Sequence, residues 1–194
     1  MILAFNKPFR VLSQFTSEPG SPAATLAAFG FPPNVYALGR LDADSEGLLL
    51  LSDEKGLNTG LLDPSAGHHR TYWAQVEGAI TDDARTKLEQ GVSIRQSAGS
   101  AGLYTTLPCV ATLLTNPIVS ERIPPIRTRR TIPTSWVELV LTEGKNRQVR
   151  HMLAAVGYPV LRLLRVRIGE FSIGDLDVGT WRELDVRERG LLFR

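Results

Sequence analysis

Four consecutive leucines, Leu48 to Leu51, restrict the folding of this chain more than any other stretch, because they follow at once on a loop of opposite character. That loop is Gly39-Arg40-Leu41-Asp42-Ala43-Asp44-Ser45-Glu46-Gly47, polar and ionisable side chains crowded between two glycines. The apolar run is too short for an ordinary helix and is bounded by turn-forming residues, the pattern of a strand buried on both faces. Asp42 therefore sits on a loop at the lip of a buried strand, where a reactive carboxylate is held on a rigid support. Asp42, Asp44 and Ser45 are also the residue types that make turn and cap hydrogen bonds, so a purely structural role stays open for all three.

At 194 residues the chain has room for one large domain or two small lobes, and enough length to bury a proper core. The single cysteine, Cys109, excludes an intrachain disulfide framework and any multi-cysteine metal site. Its setting, Leu107-Pro108-Cys109-Val110, reads as a buried strand and an inert thiol. Three histidines, two of them the adjacent pair His68 and His69, lack the spacing of a zinc site. No secretion signal opens the chain, and no apolar run approaches the roughly 20 residues that span a bilayer. The expectation is a soluble, cytoplasmic, metal-free protein.

The net charge of +2 conceals an asymmetry. Residues 1–97 carry 8 Lys+Arg against 11 Asp+Glu, a balance of −3, and residues 98–194 carry 14 against 9, a balance of +5. Within 121–167 the count is 10 basic to 3 acidic, and every basic residue except Lys145 is arginine. Arginine-dense charge on one part of a nearly neutral protein suggests a polyanion surface, RNA or DNA being the commonest case. A solvated basic face is the plainer alternative.

In chain order, residues 2–5 read as a short strand, Asn6-Lys7-Pro8 as a turn presenting Lys7 to solvent, and 11–15 as a returning strand. A brief helical segment at 25–30 ends at Gly30, and a strand at 35–38 leads into the polar loop. A short helix follows at 57–62. Arg70 to Gly78 alternates and is rich in β-formers, so Tyr72, Ala74 and Val76 share one face of a strand. Thr81 caps a helix over 82–89 whose Asp82 and Asp83 suit its positive end. Strands are expected near 92–95 and 106–114, around a Gly- and Ser-rich loop. Residues 115–134 hold four prolines and no period, a long loop carrying Arg122, Arg127, Arg129 and Arg130. A strand at 136–141 precedes a helix reaching Val156, whose apolar stripe is Val149, Met152, Leu153 and Val156. The first turn of that helix brings Lys145, Asn146, Arg147 and Arg150 close to backbone N–H groups that already favour anions. Further strands are expected at 159–168 and 179–184.

No Ser-His-Asp set, P-loop or dinucleotide fingerprint is present. An aspartate serves as a covalent nucleophile when it stays ionised in a dry pocket, and that needs a nearby cation. Arginine suits the task better than lysine, since it stays protonated and pairs with a carboxylate through two parallel hydrogen bonds.

Three stretches carry a resemblance that joins these features. Gly39-Arg40-Leu41-Asp42-x-Asp44-Ser45-x-Gly47, Arg70-x-Tyr72 with Gln75-Val76-Glu77-Gly78, and Glu143-Gly144-Lys145-Asn146-Arg147-Gln148-Val149-Arg150 resemble the signature motifs of the RsuA-like RNA pseudouridine synthases. Asn6-Lys7-Pro8 matches a fourth, weaker motif, and Arg70 stands where lysine is more frequent. Pro124-Pro125-Ile126-Arg127 and Ile132-Pro133-Thr134-Ser135-Trp136 are similar to a branch that modifies one uridine of 23S rRNA. The resemblance implies an α+β fold, a mixed and mostly antiparallel sheet across two lobes with flanking helices and a central basic cleft. The lobes would be residues 1–64 with C-terminal segments, and 65–160. It also implies uridine-to-pseudouridine isomerisation without cofactor or metal, on a base flipped out of the rRNA.

By the same resemblance Asp42 is the essential aspartate, acting at carbon-6 of the ring, at the anomeric carbon, or on the 2′ proton to give a glycal. Tyr72 stacks on the base and is the candidate for taking its carbon-5 proton. Arg150 pairs with the aspartate, and Val149 packs against the base. Arg40, Lys145, Asn146, Arg147 and Gln148 hold loop structure or RNA backbone. Many relatives begin with a small S4-type RNA-binding domain, whereas this chain starts at the catalytic core strand, which assigns RNA selection to the 115–134 loop, with Arg127, Arg129 and Arg130, and to the 145–167 surface. Nothing demands more than a monomer. The alternatives are a 16S rRNA target and a non-catalytic RNA-binding or ribosome-assembly protein, which would need the arginines but not Asp42.

Overall fold

The run of leucines becomes β5 (Glu46–Ser52), and all seven of its residues are buried. The computed structural model describes residues 1–17, 20, 23–62, 67–95, 102–126, 129 and 131–194. They fall into two units, Met1–Arg70 with Leu164–Arg194, and Thr71–Leu163. Both are α+β, and their strand pairings are mixed and mostly antiparallel.

In the first unit β1 (Ile2–Lys7) pairs antiparallel with β5, setting Phe5 opposite Leu49 and Lys7 opposite Gly47. Beyond β1 lies β13 (Trp181–Glu183), also antiparallel. The other edge of β5 is shared. Its last residues pair with β4 (Tyr36–Leu38), and its first pair in parallel with β11 (Val160–Ile168), Arg165 standing opposite Gly47. Side chains alternate across a strand, so β1 and β5 supply two apolar faces. Ile2, Ala4, Leu48 and Leu50 join a cluster with Leu38, Leu61, Ile168, Phe171 and Leu192. On the opposite face the Phe5 ring lies 4.9 Å from Phe29 and 5.1 Å from Phe31, and Phe31 stacks on Trp181 at 5.7 Å. Each fully buried leucine contributes about 1.5–3 kcal/mol, so four in one strand make β5 the anchor of this unit.

Two expectations change here. The 11–15 segment does not return along β1; only β2 (Val11–Leu12) is strand, and it pairs in parallel with β3 (Ala24–Thr25). Lys7 is the last residue of β1 and fully buried, not displayed on a turn. The unit also contains a 3-10 turn at Leu26–Phe29 ended by Gly30 in the left-handed region, α1 (Leu57–Leu62), β12 (Phe171–Ser172) and α4 (Val186–Leu191).

In the second unit β6 (Arg70–Glu77, of which Thr71–Glu77 belong here) lies between the first residues of β11 and β10 (Thr134–Leu141). Beyond β10 runs β9 (Val110–Leu114), antiparallel to it. The strand expected near 92–95 is β7 (Ser93–Arg95), which pairs antiparallel with β8 (Leu103–Thr105); the strand expected at 106–114 is confined to β9, and Pro108 stands between β8 and β9. Proline lacks the N–H that a continuous ladder needs. Thr81 caps α2 (Asp82–Gln90) by accepting the Ala84 N–H at 3.3 Å. The core joins Ala74, Val76, Leu88, Ile94, Val137 and Leu139 to Val149, Met152 and Leu153 of α3 (Gln148–Ala155). Cys109, expected on a buried strand, lies just before β9 and is half-buried; it donates to the Leu88 carbonyl at 3.2 Å, and burial pushes its thiol up to about 11.

Candidate active site

The loop that holds Asp42 connects β4 to β5, and its shape is fixed from both ends. Gly47 has φ +95°, and a Cβ there would come within 2.4 Å of the Arg165 carbonyl oxygen, so no side chain fits where β5 meets β11. Arg165 is itself buried and its Nε donates to the Leu48 carbonyl at 2.8 Å. Within the loop the Ser45 N–H closes a turn onto the Asp42 carbonyl at 3.0 Å, and the Gly39 N–H reaches Asn58 Oδ1 at 3.0 Å. Asp42 and Asp44 are half-buried, Ser45 and Glu46 are buried, and Arg40 is exposed.

Lys7, expected on an exposed turn, is instead one of the buried cations of this unit. Its Nζ donates to the Val11 carbonyl at 2.7 Å and the Pro8 carbonyl at 3.1 Å. Burial pushes its ammonium down to about 8, against the opposing pull of the Glu46, Asp44 and Asp42 carboxylates. The positive charge of Arg165 adds a smaller push in the same direction as burial. Two buried cations and three carboxylates thus share the surroundings of the loop, a concentration of charge that is common at functional sites.

In the second unit Tyr72 stands near the start of β6, half-buried, its ring packed against the core cluster on the face of Ala74 and Val76. Arg150 lies in the first turn of α3, half-buried, and its Nη1 donates to the Val160 carbonyl at 3.3 Å. Val149 beside it is buried. The helix starts later than a first turn holding Lys145, Asn146 and Arg147 would require, because Arg147 takes a left-handed φ of 51° and serves as N-cap. Lys145, Asn146 and Arg147 are exposed on this turn, whereas Gln148 faces inward.

The turn is held by a carboxylate. Glu143 is buried; its Oε1 accepts the Leu107 N–H at 2.8 Å and Gln148 Nε2 at 2.6 Å, and its Oε2 accepts the Tyr104 hydroxyl. Gln148 Oε1 in turn accepts the Lys145 N–H at 2.8 Å, and the Lys145 ammonium lies 5.0 Å above the Tyr104 ring. Tyr104 belongs to β8, outside all the recognised motifs, and nothing in its local sequence marks it. Of the loop arginines, Arg129 pairs with Glu77 at 2.6 Å; Arg127 and Arg130 lie outside the described residues. Arg162, buried, ties Ser120 of the long loop to β11 at 2.8 Å. Among the described residues there is no group of three His, Cys, Asp or Glu able to hold a metal, and no helix long and apolar enough to cross a membrane.

The sequence profile of the RNA pseudouridylate synthases matches residues 1–155. The chain belongs to that family. The synthase is 46% identical over 187 residues to the ribosomal large subunit pseudouridine synthase E of Xanthomonas campestris pv. campestris, covering 96% of this chain and 97% of the relative. Against the protein of the same name in Vibrio parahaemolyticus it is 41% identical, covering 95% of this chain and 74% of that one. Among solved structures, a crystal structure of a pseudouridylate synthase superposes with a TM-score of 0.79 at 24% identity, over 98% of this chain and 73% of the other. That likeness establishes the pseudouridine synthase fold.

Proposed function

We propose that this synthase isomerises one uridine of 23S ribosomal RNA to pseudouridine. The observation that carries the reading is likeness along nearly the whole chain to large subunit pseudouridine synthases E, and the close approach of Gly47 to Arg165 that pins the Asp42 loop supports it. The reaction breaks the bond from N1 of uracil to C1′ of the ribose and forms one from C5 to C1′. C5 loses a proton and N1 gains one, so no redox partner or group donor is consumed.

Asp42 is the nucleophile or base of this scheme, and Arg150 the cation such a carboxylate requires to stay ionised and aimed. Tyr72 supplies an aromatic face for the uracil, a contact worth about 1–3 kcal/mol per base in single-stranded complexes, and a phenolic oxygen for the C5 proton. The base reaches the site by flipping out of the RNA. Lys145, Asn146 and Arg147 are exposed on the turn and would meet phosphates there, while Gln148, buried on Glu143, holds the turn. Arg40 is a further exposed cation next to the aspartate. RNA selection is assigned to the 115–134 loop with Arg127, Arg129 and Arg130, and a monomer suffices for all of these roles.

The test is Asp42→Asn assayed for pseudouridine formation on 23S and 16S rRNA. Loss of product with rRNA binding retained is expected. Full product from the variant would refute the catalytic assignment, and product on 16S rRNA alone from the unaltered enzyme would refute the substrate.

A further inference from the structure

Asp42 is reached from the sequence; what aims it is not. The residue before it, Leu41, is buried, and both of its backbone polar groups are satisfied by one side chain. The Ser13 hydroxyl donates to the Leu41 carbonyl at 2.8 Å and accepts the Leu41 N–H at 3.0 Å. Ser13 is itself buried. Two residues on, the Ala43 carbonyl accepts the Arg10 N–H at 2.7 Å, so the residues on either side of Asp42 are both held from the same 8–13 segment. That segment has its own support. Arg10 takes a left-handed φ of 64°, unusual for a residue with a side chain, and the buried Lys7 ammonium folds the turn by binding the Pro8 and Val11 carbonyls.

We propose that Ser13 is a positioning residue for Asp42, its hydroxyl setting the direction from which the carboxylate leaves the loop. The proposal rests on the reading of Asp42 as the reacting group. A hydroxyl that bonds both backbone groups of Leu41 holds the two peptides that flank that residue, 40–41 and 41–42, at one point and so restricts their rotation. The adjacent Cα–Cβ bond follows. Placement of a reacting group is a steep determinant of rate, a displacement near 1 Å being enough for about 100-fold. Removing the hydroxyl leaves a buried N–H and C=O without their partner, and the loop must shift to find others.

The experiment compares Ser13→Ala, Ser13→Cys and Ser13→Thr in the full-length enzyme, by single-turnover rate at saturating rRNA, rRNA affinity and melting temperature. The expected result is a rate at least about 10-fold lower for Ala and Cys, affinity within about two-fold of the unaltered enzyme, and recovery of most of the rate by Thr, which restores the hydroxyl. The split between rate and affinity is what general loosening of the fold would not produce. A Ser13→Ala rate within about two-fold of the unaltered enzyme overturns the proposal, as does a Thr variant no faster than Ala. A loss of rate matched by loss of affinity or by the unfolded fraction also overturns it. If Ser13→Ala does not fold, the near-isosteric Cys variant is judged by the same criteria. Asp42→Asn is run in parallel. If that variant is fully active, the reading of Asp42 has failed; if it is inactive while the Ser13 variants turn over normally, only the present proposal has.

Discussion

Lys7 sets burial against attraction within a single residue. Burial lowers its ammonium from an ordinary 10.5 to about 8, even though Glu46, Asp44 and Asp42 all pull it upward. The unfolded chain therefore binds a proton between about pH 8 and 10.5 that the folded chain does not, and the folded state gains stability as pH rises through that window. One unit is worth about 1.36 kcal/mol, so the full shift amounts to roughly 3 kcal/mol, and about 2.5 kcal/mol of it falls between pH 7 and pH 10. Replacing Lys7 by Met keeps the apolar stem and removes the titration. The assay is urea unfolding of both proteins at pH 7, 8, 9 and 10, read as the difference between them, in which all other titrating groups cancel. The unaltered protein should gain about 2–3 kcal/mol on Lys7→Met across the series. A difference flat to within about 0.5 kcal/mol would mean that the ammonium is not desolvated as its burial implies. A difference of opposite sign would mean that the three carboxylates outweigh burial and raise the group instead.

Two further substitutions probe the packing around the motifs. Gly47→Ala places a methyl against the Arg165 carbonyl at a φ that L-residues avoid, and should destabilise the fold by about 3 kcal/mol or more in denaturant unfolding; an effect under about 1 kcal/mol would show that β5 and β11 separate easily. Tyr104→Phe removes one donor from the buried Glu143 carboxylate and should destabilise by about 1–3 kcal/mol, with Tyr104→Leu adding about 0.5–1 kcal/mol as Lys145 loses the ring beneath it. If Phe and Leu give equal losses by denaturant unfolding, the ring–ammonium contact contributes nothing.

Several parts of this structure were legible in the chain because they are local. The buried strand at Leu48–Leu51, the alternation of β6 and the Thr81 cap each depend on side-chain period or on one short-range hydrogen bond. The helix α4 carries an equally local signal, the Asp185 and Glu188 pair of a capping box. The loop of Asp42 was visible as a motif because its glycines and polar residues are contiguous.

What surrounds that loop was not visible. Ser13 meets Leu41 across 28 positions of sequence, Tyr104 meets Glu143 across 39, and Arg165 meets Leu48 across 117. None of these partners has a spacing of its own, since a serine in a turn and a tyrosine in a hairpin are unremarkable until strand register decides what faces them. Lys7 shows the same division. Its sequence neighbours describe a turn, and only the pairing of β1 with β5 and the packing beyond it carry its stem inward and leave its ammonium among carbonyls. Period and capping act over a few residues and are written into the chain. Burial and long-range hydrogen bonds exist only once the sheet is assembled, because each requires two distant segments to arrive at one place.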